Sequence, residues 1–348
     1  MHNYLGIMTH RVASPSKYYR HQSSAQAEKF DGVIMYTPNG VDMKRKQVSG
    51  YIYQDGSWKW KTVGFPKMNM DIGFYNEADM AKATKVKKNP ALRFTGYGLG
   101  NKCRIQKHLD ASDYLKPYLL PTEQVQTSQQ FIAFVHKHGS VMLKPINGWG
   151  GRGIIRITES KDRRYRVQTN GKPAADLSQA GLASYVKGIL GQGRHVMQKW
   201  IDIRNKDGQV YDIRALMQKN GEGKWQLTGM AVREGKNGSI TSNIKSGGNA
   251  HGVQEYLESQ FNEEEGQALT SSIVEVAEYI PPYTEKSYRS RLFELGIDLA
   301  VDRSGKLWLI EINIKPGKSI MHRVYGRKAW EKCLRHPFEY ARFLASTK

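Results

Sequence analysis

Lys144-Pro145-Ile146-Asn147-Gly148-Trp149-Gly150-Gly151-Arg152-Gly153 carries a G-x-G-x-x-G spacing at Gly148, Gly150 and Gly153. Glycine lets backbone N–H groups come close to phosphate oxygens and tolerates the positive-φ turns such a cradle needs. The flanks decide the reading. Val141-Met142-Leu143-Lys144 before the loop and Ile154-Ile155-Arg156-Ile157 after it both read as β-strands, whereas a dinucleotide fingerprint needs a helix directly after the glycines. The stretch is therefore a strand–loop–strand flap. A protein kinase uses such a flap, but no HRD or DFG element follows. Gly317-Lys318-Ser319 does not complete a Walker A motif, because Ile312 stands where its first glycine belongs. The alternative is a structural Gly-rich hairpin. Lys144, at the strand end facing the loop, favours phosphate.

Outward from the flap, strands are expected at 4–8 and 33–36, and a hairpin over 48–63 turns at Asp55-Gly56. Residues 89–101 are rich in turn formers, and helices are expected over 102–110 and 127–138. Beyond the flap come a hairpin at 163–169 turning at Asn170-Gly171, a helix at 178–190 and a strand at 195–201. Strands at 210–218, 225–233, 297–303 and 307–312 follow, with a helix at 263–280 between them and an amphipathic helix at 327–345. The expectation is a mixed α+β chain divided at 1–115, 116–203 and 204–348.

A second constellation lies late in the chain. Glu311 and Asn313 in Leu309-Ile310-Glu311-Ile312-Asn313 fall on one face of a strand, with 310 and 312 on the other. Asp298 would join them from a neighbouring antiparallel strand. Two carboxylates and an amide oxygen suit a hard cation such as Mg2+, with Mn2+ as an alternative; an edge strand with a polar face is the plainer reading. Arg214, Arg233 and Asn243 lie between flap and carboxylates; a guanidinium there would pair with carboxylate or phosphate or hold developing charge, with a plain surface arginine as the alternative.

Composition bounds the rest. The chain has 348 residues and a net charge of +21; 18 basic and 8 acidic side chains fall in residues 1–110, against 35 and 24 in the remainder. That balance favours contact with phosphates or an anionic polymer, with the run Lys82-Ala83-Thr84-Lys85-Val86-Lys87-Lys88 as its densest point, although a solvated helix face explains the same run. Two cysteines, Cys103 and Cys333, exclude a disulfide framework and a cysteine-based zinc site. No apolar run suits a membrane span, and no signal peptide opens the chain, so a cytoplasmic protein is expected.

From about Lys102 to Gly317 these pieces, in this order, resemble the ATP-grasp superfamily. The Trp58/Trp60 hairpin, Gly100-Asn101-Lys102 and Leu119-Leu120-Pro121-Thr122 resemble its YheC/YheD branch, named for endospore coat association. The resemblance implies an ATP-grasp fold in which an N-terminal α/β domain precedes two α+β subdomains that sandwich the nucleotide. It implies Lys102 and Lys144 as nucleotide-binding lysines, Gly148–Gly153 with Trp149, Gly151 and Arg152 as the flap, and Gln198-Lys199-Trp200-Ile201 as the hinge that reads adenine. Asp298, Glu311 and Asn313 would hold Mg2+, and Arg214, Arg233 and Asn243 would face phosphate or acyl phosphate. Lys199 stands where the hinge often carries an acidic residue, and Lys315 departs from other members, which leaves the substrate open. The implied activity is ATP-dependent ligation of a carboxylate to an amine or related nucleophile, with spore association. The alternative is a non-catalytic coat protein that binds nucleotide or polyanion.

Overall fold

The computed structural model describes residues 3–12, 14–148, 150–242 and 247–347. Three sheets form its frame. In the first, Tyr4–Met8 runs parallel to Gly32–Tyr36 on one side and Met68–Asp71 on the other. The hairpin Gln47–Gln54/Ser57–Gly64 extends that sheet beyond Gly32–Tyr36, turning at Asp55 (φ 51) and Gly56 (φ 75) as the Asp-Gly pair demands. The second sheet is antiparallel, in the order Ala175–Leu177, Tyr165–Thr169, Ile155–Glu159, Ser140–Pro145, His195–Lys199, Thr122–Gln124. The third, also antiparallel, runs Asn249–His251, Trp225–Glu234, Tyr211–Lys219, Glu294–Val301, Leu307–Asn313.

The first sheet is buried on both faces, and the second and third bury the face that their alternation makes apolar. On Tyr211–Lys219, Tyr211, Ile213, Ala215 and Met217 enter a core covered by the helix Glu263–Tyr288 through Ile273, Val276, Ala277 and Ile280. The second sheet sets Val141, Leu143, Ile157 and Met197 against Phe131 and Val135 of the helix Ser128–His138 and Leu182 and Val186 of Gln179–Leu190. Packing also crosses between sheets. Leu99, Leu109, Leu115 and Leu119 join the third sheet's core, and Phe338, Tyr340, Ala341 and Leu344 of the last helix join the first sheet's core.

Several local expectations are changed by tertiary packing. The helix expected to stop at 280 continues through Pro281 and Pro282 to Tyr288; the ring of Pro281 is buried in the interface that offsets the two lost backbone bonds. The last helix begins at Ser319 and kinks at Gly326 (φ 77), so the expected 327–345 is its second limb. The strand Met68–Asp71 carries no readable alternation because all four residues are buried, with Asn69 accepting from the Tyr36 hydroxyl at 2.8 Å. In the lysine run, Lys82, Lys85 and Lys88 are exposed, but Lys87 turns inward to Asp71 at 3.0 Å.

Ile297, fully buried between Ala215 and Ile312 on adjacent strands, measures the third sheet's contribution. Ile297→Ala should cost about 2–5 kcal/mol, read as a lower urea midpoint with an unchanged slope.

Candidate nucleotide and metal site

On the faces turned away from the helices Ser128–His138, Gln179–Leu190 and Glu263–Tyr288, the last helix covers the third sheet at Leu216 and Ala231. What remains of those faces on the second and third sheets meets across one cleft of about 200 Å3. Alternation puts its polar residues there. Met142 and Lys144 point opposite to Val141 and Leu143, and Asp212 and Arg214 point opposite to Tyr211 and Ile213. A β-bulge refines the last strand: Asp298 pairs with Glu311 but Leu299 pairs with Leu309, so Ile310 is the extra residue. The bulge turns both Ile310 and Glu311 to the cleft while Ile312 enters the core. This corrects the simple alternation, which sent 310 away from the site.

The flap leaves Ser140–Pro145 and returns as Ile155–Glu159, paired antiparallel. Gly150, Gly151 and Gly153 have φ of 67, 74 and 69°, which only glycine adopts without strain. Asn101 caps the helix Lys102–Asp110 by accepting from the Arg104 N–H at 3.0 Å, which sets Lys102 at the helix start. From there its ammonium reaches the Gly148 carbonyl at 2.7 Å and Glu311 at 2.8 Å, tying flap to carboxylate.

Lys144 donates to Gln198 Oε1 at 2.5 Å, and Gln198 donates in turn to Thr122 Oγ1 at 3.0 Å. Burial pulls the Lys144 pKa down to about 8 against the opposing pull of Glu311. In the hinge, the Lys199 and Trp200 amides are spent on Pro121 and Ser140 carbonyls, both at 2.9 Å. The Trp200 ring carries the Arg156 guanidinium 3.6 Å from its centroid. Leu120, Met142, Ile154, Ile201 and Ile310 give this end of the cleft an apolar wall.

At the other end the charges are interlocked. Asp298 accepts from Arg214 Nε, from Arg214 Nη2 at 2.9 Å, from Arg233 Nη2 at 3.0 Å and from Asn313 Nδ2 at 3.2 Å. Arg233 is also held by Asp212 through Nε at 2.5 Å and Nη2 at 2.6 Å, and Ser242 donates to the same carboxylate at 2.5 Å. Burial raises the Asp212 pKa despite Arg233; at Asp298 burial is outweighed by Arg214 and Arg233, which hold the carboxyl below its usual range. Gly296 makes room for this: a Cβ there would lie 3.3 Å from Arg214 Cδ and Nε and 2.7 Å from Pro316.

The cleft thus collects Lys102, Lys144, Gly148, Gly150, Gly151, Arg152, Gln198, Lys199, Trp200, Ile201, Arg214, Arg233, Asp298, Glu311 and Asn313 from the residues expected at the site. Gly153 shapes the flap's return without lining the cavity, and Trp149 and Asn243 lie outside the described residues. Arg214 and Arg233, expected to face phosphate, are engaged by Asp298 and Asp212. The sequence reading missed Asp212 and Ser242; the alternation of Asp212-Ile213-Arg214 is the signal that finds Asp212. Among the described residues no three His, Cys, Asp or Glu side chains gather as a metal site. Asp298, Glu311 and Asn313 offer two carboxylates and an amide oxygen, which fits the chemistry of Mg2+.

A sequence model for a YheC/D like ATP-grasp matches residues 91–344. The chain belongs to the YheC/D-like ATP-grasp family. Endospore coat-associated protein YheC of Bacillus subtilis is 27% identical over 301 residues, spanning 84% of this chain and 82% of that protein. Endospore coat-associated protein YheD of the same organism is 23% identical over 323 residues, spanning 90% and 70%. Among solved structures, D-alanyl-alanine synthetase A from Vibrio cholerae has the same fold, with a TM-score of 0.56 at 11% identity over 97% of this chain and 98% of that one. In this ATP-grasp chain no helix of the described residues is long and apolar enough to cross a membrane.

A polyphosphate beside Lys144 favours its charged form and raises its pKa. At pH 8 the free amine is about half protonated, so nucleotide binding should take up about half a proton and weaken as pH rises further. Calorimetry of a non-hydrolysable ATP analogue with Mg2+, in two buffers of different ionisation enthalpy, checks this: heats independent of buffer contradict it.

Proposed function

We propose that the protein is an ATP-dependent ligase that activates a carboxylate as an acyl phosphate and passes it to an amine or related nucleophile. One observation carries the reading: a single cleft holds a Gly-rich flap and two lysines facing two carboxylates and an amide on adjacent strands. Fold similarity to D-alanyl-alanine synthetase A supports the architecture that such chemistry uses.

In this reading the apolar wall of Met142, Ile154, Ile201 and Ile310 takes the adenine, and backbone groups of the hinge between Lys199 and Ile201 read its edge. Lys144 and Lys102 meet the phosphates, and flap amides close over them. Asp298, Glu311 and Asn313 would hold Mg2+, which supplies charge neutralisation on the phosphates. The substrate carboxylate oxygen forms a bond to the γ-phosphorus as the bond to ADP breaks; the nucleophile then bonds to the acyl carbon, phosphate leaves, and the amine loses a proton. Arginine and lysine side chains stabilise charge throughout, so no acid–base triad is required. A closed flap keeps water from the γ-phosphate until the carboxylate arrives.

The names of the two Bacillus subtilis proteins support an association with the spore coat; a role in peptide or cell-surface metabolism, in a cytoplasmic protein, belongs to the ligase reading alone. Contact with an anionic polymer has weaker support, since Lys87 is committed to Asp71.

ADP release with Mg2+ and ATP, screened over amino acids, peptides and polycarboxylates, tests the activity. Lys144→Ala should weaken nucleotide binding, and Glu311→Ala or Asn313→Ala should cut ADP release about 100-fold or more with an unchanged circular dichroism spectrum. Wild-type turnover in the last two variants removes the metal assignment. Nucleotide binding without ADP release for any acceptor favours the non-catalytic alternative.

A further inference from the structure

The two guanidiniums on Asp298 are not equivalent. The two oxygens of Asp298 differ: Oδ2 meets Arg214 Nη2, Arg233 Nη2 and Asn313 Nδ2, whereas among the described residues Arg214 Nε is the one side-chain donor on Oδ1. Oδ1 therefore keeps lone-pair capacity for a hard cation, and a cation that takes it lies against the Arg214 guanidinium. Arg233 has a second anchor in Asp212, itself steadied by Ser242. Arg214 has none: among the described residues Asp298 is its one ion-pair partner.

We propose that Asp212 is a positioning residue that keeps Arg233 in place, so that Arg214 is the guanidinium released when a divalent cation takes Asp298. Arg214 and the cation then compete for one carboxylate, and the protein without nucleotide holds metal weakly. Nucleotide phosphates relieve the competition by giving the released guanidinium an anion to meet, so cation and nucleotide bind cooperatively. The inference rests on reading Asp298 as a metal ligand.

The test is the affinity for Mn2+, measured by the loss of the free-ion paramagnetic resonance signal, with and without a non-hydrolysable ATP analogue. Arg214→Met should bind Mn2+ at least tenfold more tightly than wild type without nucleotide, a gain that damage to a supporting residue would not produce. Asp212→Asn should do the opposite, because Arg233 without its anchor turns wholly to Asp298. If Arg214→Met does not give a folded circular dichroism spectrum, Arg214→Lys replaces it; its single ammonium cannot span both oxygens, and it too should tighten Mn2+. Wild type binding Mn2+ with the analogue while the Arg214 variant binds the ion no better than wild type overturns the inference and leaves the metal site standing. Wild type binding no Mn2+ even with the analogue overturns the metal reading and the inference together.

Discussion

A buried carboxylate between two arginines is the constraint around which the third sheet is organised. Asp298 lies 5% exposed on a strand whose other face is wholly apolar. An uncompensated charge there would be costly, and removing one partner from such a pair typically costs several kcal/mol. Arg214 comes from the adjacent strand Tyr211–Lys219 and Arg233 from Trp225–Glu234, the strand beyond it, and the register Arg214↔Asp298 and Arg233↔Asp212 brings them in. Formal charge closes within the cluster, with two arginines against two aspartates. Lys102 with Glu311 closes in the same way, whereas Lys144 donates to the neutral amide of Gln198.

That arrangement links fold to chemistry through strand geometry. The same period-2 alternation that sends Ile213 and Ala215 into the core sends Asp212 and Arg214 into the cleft. One extra residue at Ile310 then lets an apolar side chain and Glu311 face the same space. Lys144, Gln198, Asp212, Arg214, Arg233, Asp298, Glu311 and Asn313 all stand on strands, which hold side chains more firmly than loops do. The flap is tied to this frame by Lys102, which couples the position of Gly148 to the state of Glu311.

Much of this was legible from residue order. The strand–loop–strand character of the flap followed from β-branched residues directly after its glycines, and the placing of Asp298 on an antiparallel strand beside that of Glu311 and Asn313 followed from two apolar runs in close succession. The bulge at Ile310 was not legible, because nothing local distinguishes a bulged strand from a regular one. The engagement of both arginines by aspartates was also hidden: sequence shows which groups carry charge, while register decides which of them meet. Pro281-Pro282 misled for the opposite reason, since a strong local signal was overridden by burial against the third sheet.

Amide hydrogen exchange with and without a non-hydrolysable ATP analogue and Mg2+ tests most directly the claim that this cleft is a nucleotide site. Protection concentrated in residues 146–154 and 198–203 is the expected result. Exchange unchanged in both segments, or protection confined to residues 4–71, would contradict it.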